Sequence, residues 1–213
     1  MTASMFHFAD LRVQQALEAI YLCSDDTAPE TIEGCPCCIS TRGVDVLLTT
    51  TLRDIPGEAL YRYVSEVFLT IGCEEDFQYL LPRIFDVSAN DTKNANDPEI
   101  VLGKLKYVDW RSWSNEMVQA IEDFVDAWFE RELARDLTEA DDYWISSNAE
   151  SVLCGAAIGG FDLSRWLIRL NDPCAVPVLA DLKNRFPGEL SAFWEETPKG
   201  FKEFSVILAH GQS

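Results

Sequence analysis

LRDIPGEALYRYVSEVFLTIGCEEDFQYLLPRIFDV, residues Leu52 to Val87, is the stretch whose reading decides the fold. Ile55-Pro56-Gly57 opens a first amphipathic helix, on which Ala59, Leu60, Tyr63, Val64, Val67, Phe68 and Ile71 recur at helical spacing. Gly72 stands where that helix should stop, because glycine enters left-handed backbone without a Cβ penalty. Glu74, Glu75 and Asp76 put negative charge on the first turn of a second helix, where the backbone dipole favours it. Phe77, Leu80, Leu81, Ile84, Phe85 and Val87 carry the apolar face onward. The pattern predicts two amphipathic helices around a tight corner.

Helical spacing extends to both sides of this pair. Phe8 to Leu22 reads as a helix with Leu11, Ala16, Leu17, Ala19 and Ile20 on its core side. Val44 to Leu52 has the β-branched content of a strand, but no partner strand is evident and we read it as helix. Ser88 to Pro98 lacks a large apolar side chain and is dense in Asn and Asp, which marks a linker or a long surface loop. A short helix follows over Pro98 to Val108. Ser114 is placed to cap the longest helix, Asn115 to Leu137. Further helices are expected over Ala149 to Ile158 (rich in small residues), Leu163 to Leu170, Pro173 to Phe186, Glu189 to Glu195 and Lys199 to His210. The chain is therefore expected to be all-α, an irregular multi-helix bundle or a HEAT-like helical stack. Its organisation is read as two helical sub-bundles, 1–87 with the cysteine cluster and 99–213, or as one continuous domain.

The 213 residues are 47% hydrophobic and 11% aromatic, enough to fill a core. No apolar run is long enough to span a bilayer, and the N-terminus has no basic and apolar leader pattern, so a cytoplasmic protein is expected. Seventeen basic residues against thirty-six acidic ones give a formal charge of −19. Such a surface repels phosphate backbones and anionic lipid, which argues against nucleic-acid and membrane partners. It suits solubility, or steering toward a basic partner protein.

The helix Asn115 to Leu137 is the most polarised element. Met117, Ile121, Phe124, Val125 and Trp128 share one face, and Glu116, Asp123, Asp126 and Glu130 the other. Between Glu116 and Asp142 ten acidic residues face only Arg131 and Arg135. Glu122, Asp123, Asp126, Glu130, Asp141 and Asp142, helped by Trp144, are the expected partner-binding residues. Their plainer reading is a solvated face.

Chemistry-bearing motifs are sparse. Cys35-Pro36-Cys37-Cys38 holds a C-x-x-C pair, Cys35 and Cys38, whose spacing lets two thiolates reach one zinc, with Cys23, Cys73 or His7 as completing ligands. A second pair with matching spacing is missing, and the strand a thioredoxin-type motif needs is not present before it. Reduced, packed cysteines are the remaining reading. The acidic pairs Asp25-Asp26, Glu74-Glu75-Asp76 and Asp141-Asp142 are candidate cation ligands or solvated helix ends. His7 and His210 have no local partner for a nucleophile triad, and Gly155 to Gly160 lacks the spacing of a phosphate-binding loop. No catalytic residue is expected, and the protein is read as a non-enzyme.

GCPCCIS (34–40), TTTLRDIP (49–56), ALYRYVSEVFLTIG (59–72) and EDFQYLLPRIFDV (75–87) together carry a resemblance over about the first ninety residues. They resemble a group of uncharacterised bacterial proteins with an N-terminal CPCC cluster followed by a DFxxxLPRI motif. That resemblance implies an all-α cytosolic bacterial protein and supplies no catalytic residue. In its acidic, motif-poor character the chain is similar to immunity proteins that neutralise antibacterial toxins. The expected function is protein binding, in which an acidic face occludes the basic cleft of a cognate toxin domain. The alternative is a zinc-stabilised housekeeping or stress protein built on Cys35 and Cys38.

Overall fold

A computed structural model describes residues 2–24, 27–35, 44–140 and 147–209. Among them lie ten α-helices: α1 (Thr2–Cys23), α2 (Val44–Thr49), α3 (Gly57–Glu66), α4 (Glu74–Asn90), α5 (Pro98–Gly103), α6 (Asn115–Glu139), α7 (Asn148–Ile158), α8 (Ser164–Leu170), α9 (Val176–Arg185) and α10 (Pro198–Ala209). Short 3-10 turns join several of them, and no strand occurs among the described residues beyond isolated bridges. The all-α expectation holds. Two compact units are present, Ala16–Ile121 and the combination of Met1–Gln15 with Glu122–Ser213. The Ser88–Pro98 stretch lies inside the first of these: α4 runs on through Asn90, with Ser88 and Ala89 buried, and Pro98 opens α5.

In the unit Ala16–Ile121, α3 and α4 form the anticipated pair. Leu60, Tyr63 and Val64 of α3 are buried, as are Phe77, Leu80, Leu81, Ile84 and Phe85 of α4. Helix α3 stops at Glu66, six residues before the glycine that spacing nominated. Val67 closes it by donating to the Tyr63 carbonyl at 2.8 Å, and Phe68 turns into left-handed backbone at φ 65°. Ile71 then pairs with Gly34 rather than extending the helix. Arg53 and Arg83 fasten the same unit. Arg53 grips the Glu18 carboxylate at 2.7 and 2.8 Å and lies over the Tyr21 ring. Arg83 donates to the Ile55 carbonyl at 3.0 Å and to Asp86 at 2.6 Å, and the Tyr21 hydroxyl donates to the same Asp86 at 3.2 Å. The Arg53 hydrogen bond also holds the Glu18 carboxyl below its ordinary pKa.

In the other unit, Phe124, Trp128, Phe129, Leu133, Trp166, Trp194 and Phe204 form the aromatic and aliphatic centre. Small residues on α7 admit α10 closely: a Cβ on Gly200 would stand 2.8 Å from the Ala157 methyl. Two buried carboxylates organise the segments around it. Asp136, fully buried, accepts the Asn148 and Ala149 backbone N–H groups at 3.1 and 2.8 Å and so caps the start of α7, where unpaired amides and the dipole favour an anion. Glu150 accepts Arg185 at 2.6 Å, the Ser191 backbone N–H at 2.8 Å and the Trp194 indole N–H at 3.2 Å. Leu11 departs from its expected core position and is 48% exposed, while Ala9, Val13, Ala16 and Leu17 point inward along α1.

Removing one member of a buried ion pair leaves its counter-charge and donors stranded. Glu150→Ala should cost about 3–5 kcal/mol of folding stability, and Glu150→Gln, which keeps an acceptor, should cost less. Urea unfolding followed by circular dichroism measures both.

Candidate functional site

Around the corner between α3 and α4, the turn Val67–Gly72 folds against the segment Glu33–Cys35. The Gly72 N–H donates to the Glu33 carbonyl at 2.7 Å and the Cys35 N–H to the Thr70 carbonyl at 3.0 Å. These two bonds flank the antiparallel bridge between Gly34 and Ile71, and a Cβ on Gly34 would meet Ile71 and Thr70 at under 3 Å. The close approach is why glycine stands there.

Behind the turn lies a buried carboxylate. Asp76 is 1% exposed and accepts the Tyr63 hydroxyl, the Cys73 backbone N–H at 2.8 Å and the Cys73 thiol at 2.9 Å. Cys73 is the residue before α4, so Asp76 reaches back from the third helical position in a reciprocal capping arrangement. Burial, and then the Asp76 charge, push the Tyr63 hydroxyl far above its ordinary pKa. Partial burial and the thiol's bond to Asp76 raise that of Cys73. Gly72, at φ 77°, has no room for a side chain: a Cβ would lie 2.7 Å from the Asp76 carboxylate. Asp76 is thus a structural acceptor, not the solvated helix end or cation ligand that its neighbours suggest.

The outer face of the turn forms a groove of about 680 Å³. Glu33, Gly34, Phe68, Leu69, Thr70, Ile71, Gly72 and Tyr107 line it. The Phe68 ring sits 5.1 Å edge-on to Phe77 and 5.8 Å from Tyr107, contacts that offset left-handed backbone costing roughly 1–3 kcal/mol in a non-glycine residue. Leu69 is 66% and Tyr107 50% exposed, so the groove is open rather than enclosed.

The expected acidic face on α6 is engaged differently from its reading as a free stripe. Asp126 accepts from Arg12 at 3.0 Å and from the Trp166 indole at 3.1 Å, with Arg165 at 3.5 Å. Glu130 is gripped by Arg169 at 3.0 and 3.1 Å. A partner would have to displace these arginines. Glu122 is half-buried and its backbone carbonyl accepts from Arg165, while Asp123 is exposed. Further along, Glu132 pairs with Arg131 and Arg135 below the surface, so the helix is polar on its inner side as well. Asp141, Asp142 and Trp144 lie outside the described residues, as do Cys38 and the rest of the cluster after Cys35. Cys35 itself is exposed, and no group of three metal-ligating side chains occurs among the described residues. Helical spacing carries no signal for the groove, because its residues meet through a bridge and a left-handed turn.

A raised thiol pKa means less thiolate at pH 8 than an ordinary cysteine holds. Cys73 should therefore react with iodoacetamide more slowly than free cysteine at that pH, with the difference closing as pH rises; mass spectrometry of the alkylated peptides reads the rate. Tyr63→Phe deprives buried Asp76 of one donor and should lower stability by about 1–3 kcal/mol in urea unfolding. Gly72→Ala, which meets both positive φ and the carboxylate, should also destabilise. Against known proteins, no family model matches this chain, and neither a curated protein nor a solved structure is similar to it.

Proposed function

We propose that this chain is an acidic protein-binding module, an immunity protein that neutralises a cognate antibacterial toxin by covering a basic substrate-binding cleft. One observation carries the reading. Nine arginines (Arg12, Arg53, Arg62, Arg83, Arg131, Arg135, Arg165, Arg169 and Arg185) stand within ion-pair distance of carboxylates of the same chain. Cation is in short supply, and the surplus behind the −19 charge has no counter-charge within the molecule. A field of one sign accelerates encounter with a basic surface and repels nucleic acid, the competing ligand of a basic cleft. No helix among the described residues is long and apolar enough to cross a membrane.

The acidic residues differ in how cleanly they can test this. Asp126 and Glu130 hold arginines of the fold, so reversing them confounds binding with stability. Glu122 and Asp123 are the described pair to reverse, with Asp141 from the sequence expectation. The assay takes the product of the neighbouring gene as the candidate effector and measures its activity, and its association rate, in the presence of the purified chain. Neutralisation at equimolar ratio is expected, with association slowing as salt rises. Glu122→Lys combined with Asp123→Lys and Asp141→Lys should slow association several-fold and flatten the salt dependence. Undiminished effector activity in excess chain refutes the reading.

A further inference from the structure

We infer that α1 pairs with α1 of a second copy of this chain, antiparallel and two-fold symmetric about Gln15, along a stripe made by Phe8, Leu11, Ala19 and Leu22. Helix α1 runs unbroken from Thr2 to Cys23 and is apolar on two sides. Ala9, Val13, Ala16, Leu17 and Ile20 are buried on the inner side. On the outer side Phe8 is 64%, Leu11 48% and Leu22 83% exposed, with Gln15 exposed and Ala19 half-buried between them. At about 100° per residue these five outer positions fall within an arc of about 80°, so they form one stripe rather than scattered apolar residues. A helix apolar on both sides is ordinarily covered on both.

Charge and register together name what covers the outer side. Asp10, Arg12 and Glu18 are the only Asp, Glu, Lys or Arg residues of α1, against ten in α6. Each is already met within its own chain, by Arg131 at 3.4 Å, Asp126 at 3.0 Å and Arg53 at 2.7 Å. Two molecules of net charge −19 repel wherever acids face acids, and the uncharged stripe lets them touch. Phe8 and Leu22 each lie seven residues from Gln15, and Leu11 and Ala19 each lie four. An antiparallel copy centred on Gln15 therefore sets Phe8 beside Leu22 of the second copy, and Leu11 beside its smaller Ala19. The two Gln15 amides meet at the axis, where each can donate to the other's carbonyl. A patch that is its own complement is what a two-fold contact requires, and a different protein would impose no such symmetry. The stripe spans about 21 Å from Phe8 to Leu22, so the pair sits at the small end of stable interfaces and forms in a concentration-dependent equilibrium.

Sedimentation velocity of the full chain across a wide range of concentration, in low and in high salt, tests this. Dimer should appear as concentration rises and should strengthen with salt, which screens the repulsion between two acidic molecules. Phe8→Glu and Leu22→Lys should each weaken the dimer at least about tenfold, the loss typical of an anchor contact. The double variant Phe8→Glu/Leu22→Lys should regain most of that loss, because the two-fold sets each glutamate beside a lysine of the other copy. Non-specific association through exposed apolar side chains predicts no such recovery. Gln15→Leu should tighten the dimer, and Gln15→Glu, which sets two carboxylates face to face at the axis, should weaken it. The Gln15 pair, at an exposed polar position, carries the test by itself if circular dichroism shows that the Phe8 or Leu22 variants lose the fold. A chain that stays monomeric at every concentration and salt, a dimer indifferent to these substitutions, or a double variant no stronger than either single one overturns the assignment. So does a monomeric chain that floats with phosphatidylcholine vesicles, which gives the stripe to lipid. A monomeric chain whose association with the neighbouring gene's product weakens in Leu22→Ser overturns it too, and gives the stripe to a different protein.

Discussion

A carboxylate taken out of water must find donors, and the architecture of this protein follows from where those donors come from. Asp76 gathers the Tyr63 hydroxyl from α3 and the backbone and thiol of Cys73 from the start of α4, so one side chain sets the corner between the two helices. Leaving such a group unpaired costs several times what a typical hydrogen bond contributes, which makes the arrangement restrictive as well as stabilising. Glu150 plays the same part around Arg185, Ser191 and Trp194, and Asp136 does so at the head of α7. These acceptors reach segments that the apolar core alone would leave free to slide.

The same requirement shapes the electrostatics of the surface. Arginine suits these sites because its planar fork satisfies a carboxylate at two points, as Arg53 does with Glu18 and Arg169 with Glu130. Several such pairs are half-exposed and contribute little individually to stability. Their larger consequence is distributional: cations are fixed at particular seams while acidic side chains remain in excess elsewhere. An acidic composition thereby becomes an acidic exterior.

The shape of the turn between α3 and α4 arises from one local event, the early termination of α3. Continuing the helix to Ile71 would have carried Val67, Phe68 and Ile71 on one apolar stripe. Instead Phe68 adopts left-handed backbone, its ring packs between Phe77 and Tyr107, and Ile71 pairs with Gly34. The groove exists because the chain leaves the helix there. Residues of the stretches 51–53 and 76–84 serve this framework: Asp76 braces the turn, Arg83 ties α4 to Ile55 and Asp86, and Arg53 binds Glu18 and Tyr21. Their roles are architectural.

Local sequence pattern determined the helical class, the α3–α4 pair, the cap at Ser114 and the small-residue helix α7. Each depends on neighbours three or four positions away, and such neighbours are visible in a linear text. Net charge was equally legible. Tertiary structure alone decided which acids face inward, since Asp76 depends on Tyr63, Glu150 on Trp194, and Asp126 on Arg12 and Trp166, pairs separated by 13 to 114 positions. A carboxylate on a helix looks the same in sequence whether water or an arginine meets it. The physical reason is that burial belongs to the place where distant segments converge, whereas helical propensity belongs to the segment itself.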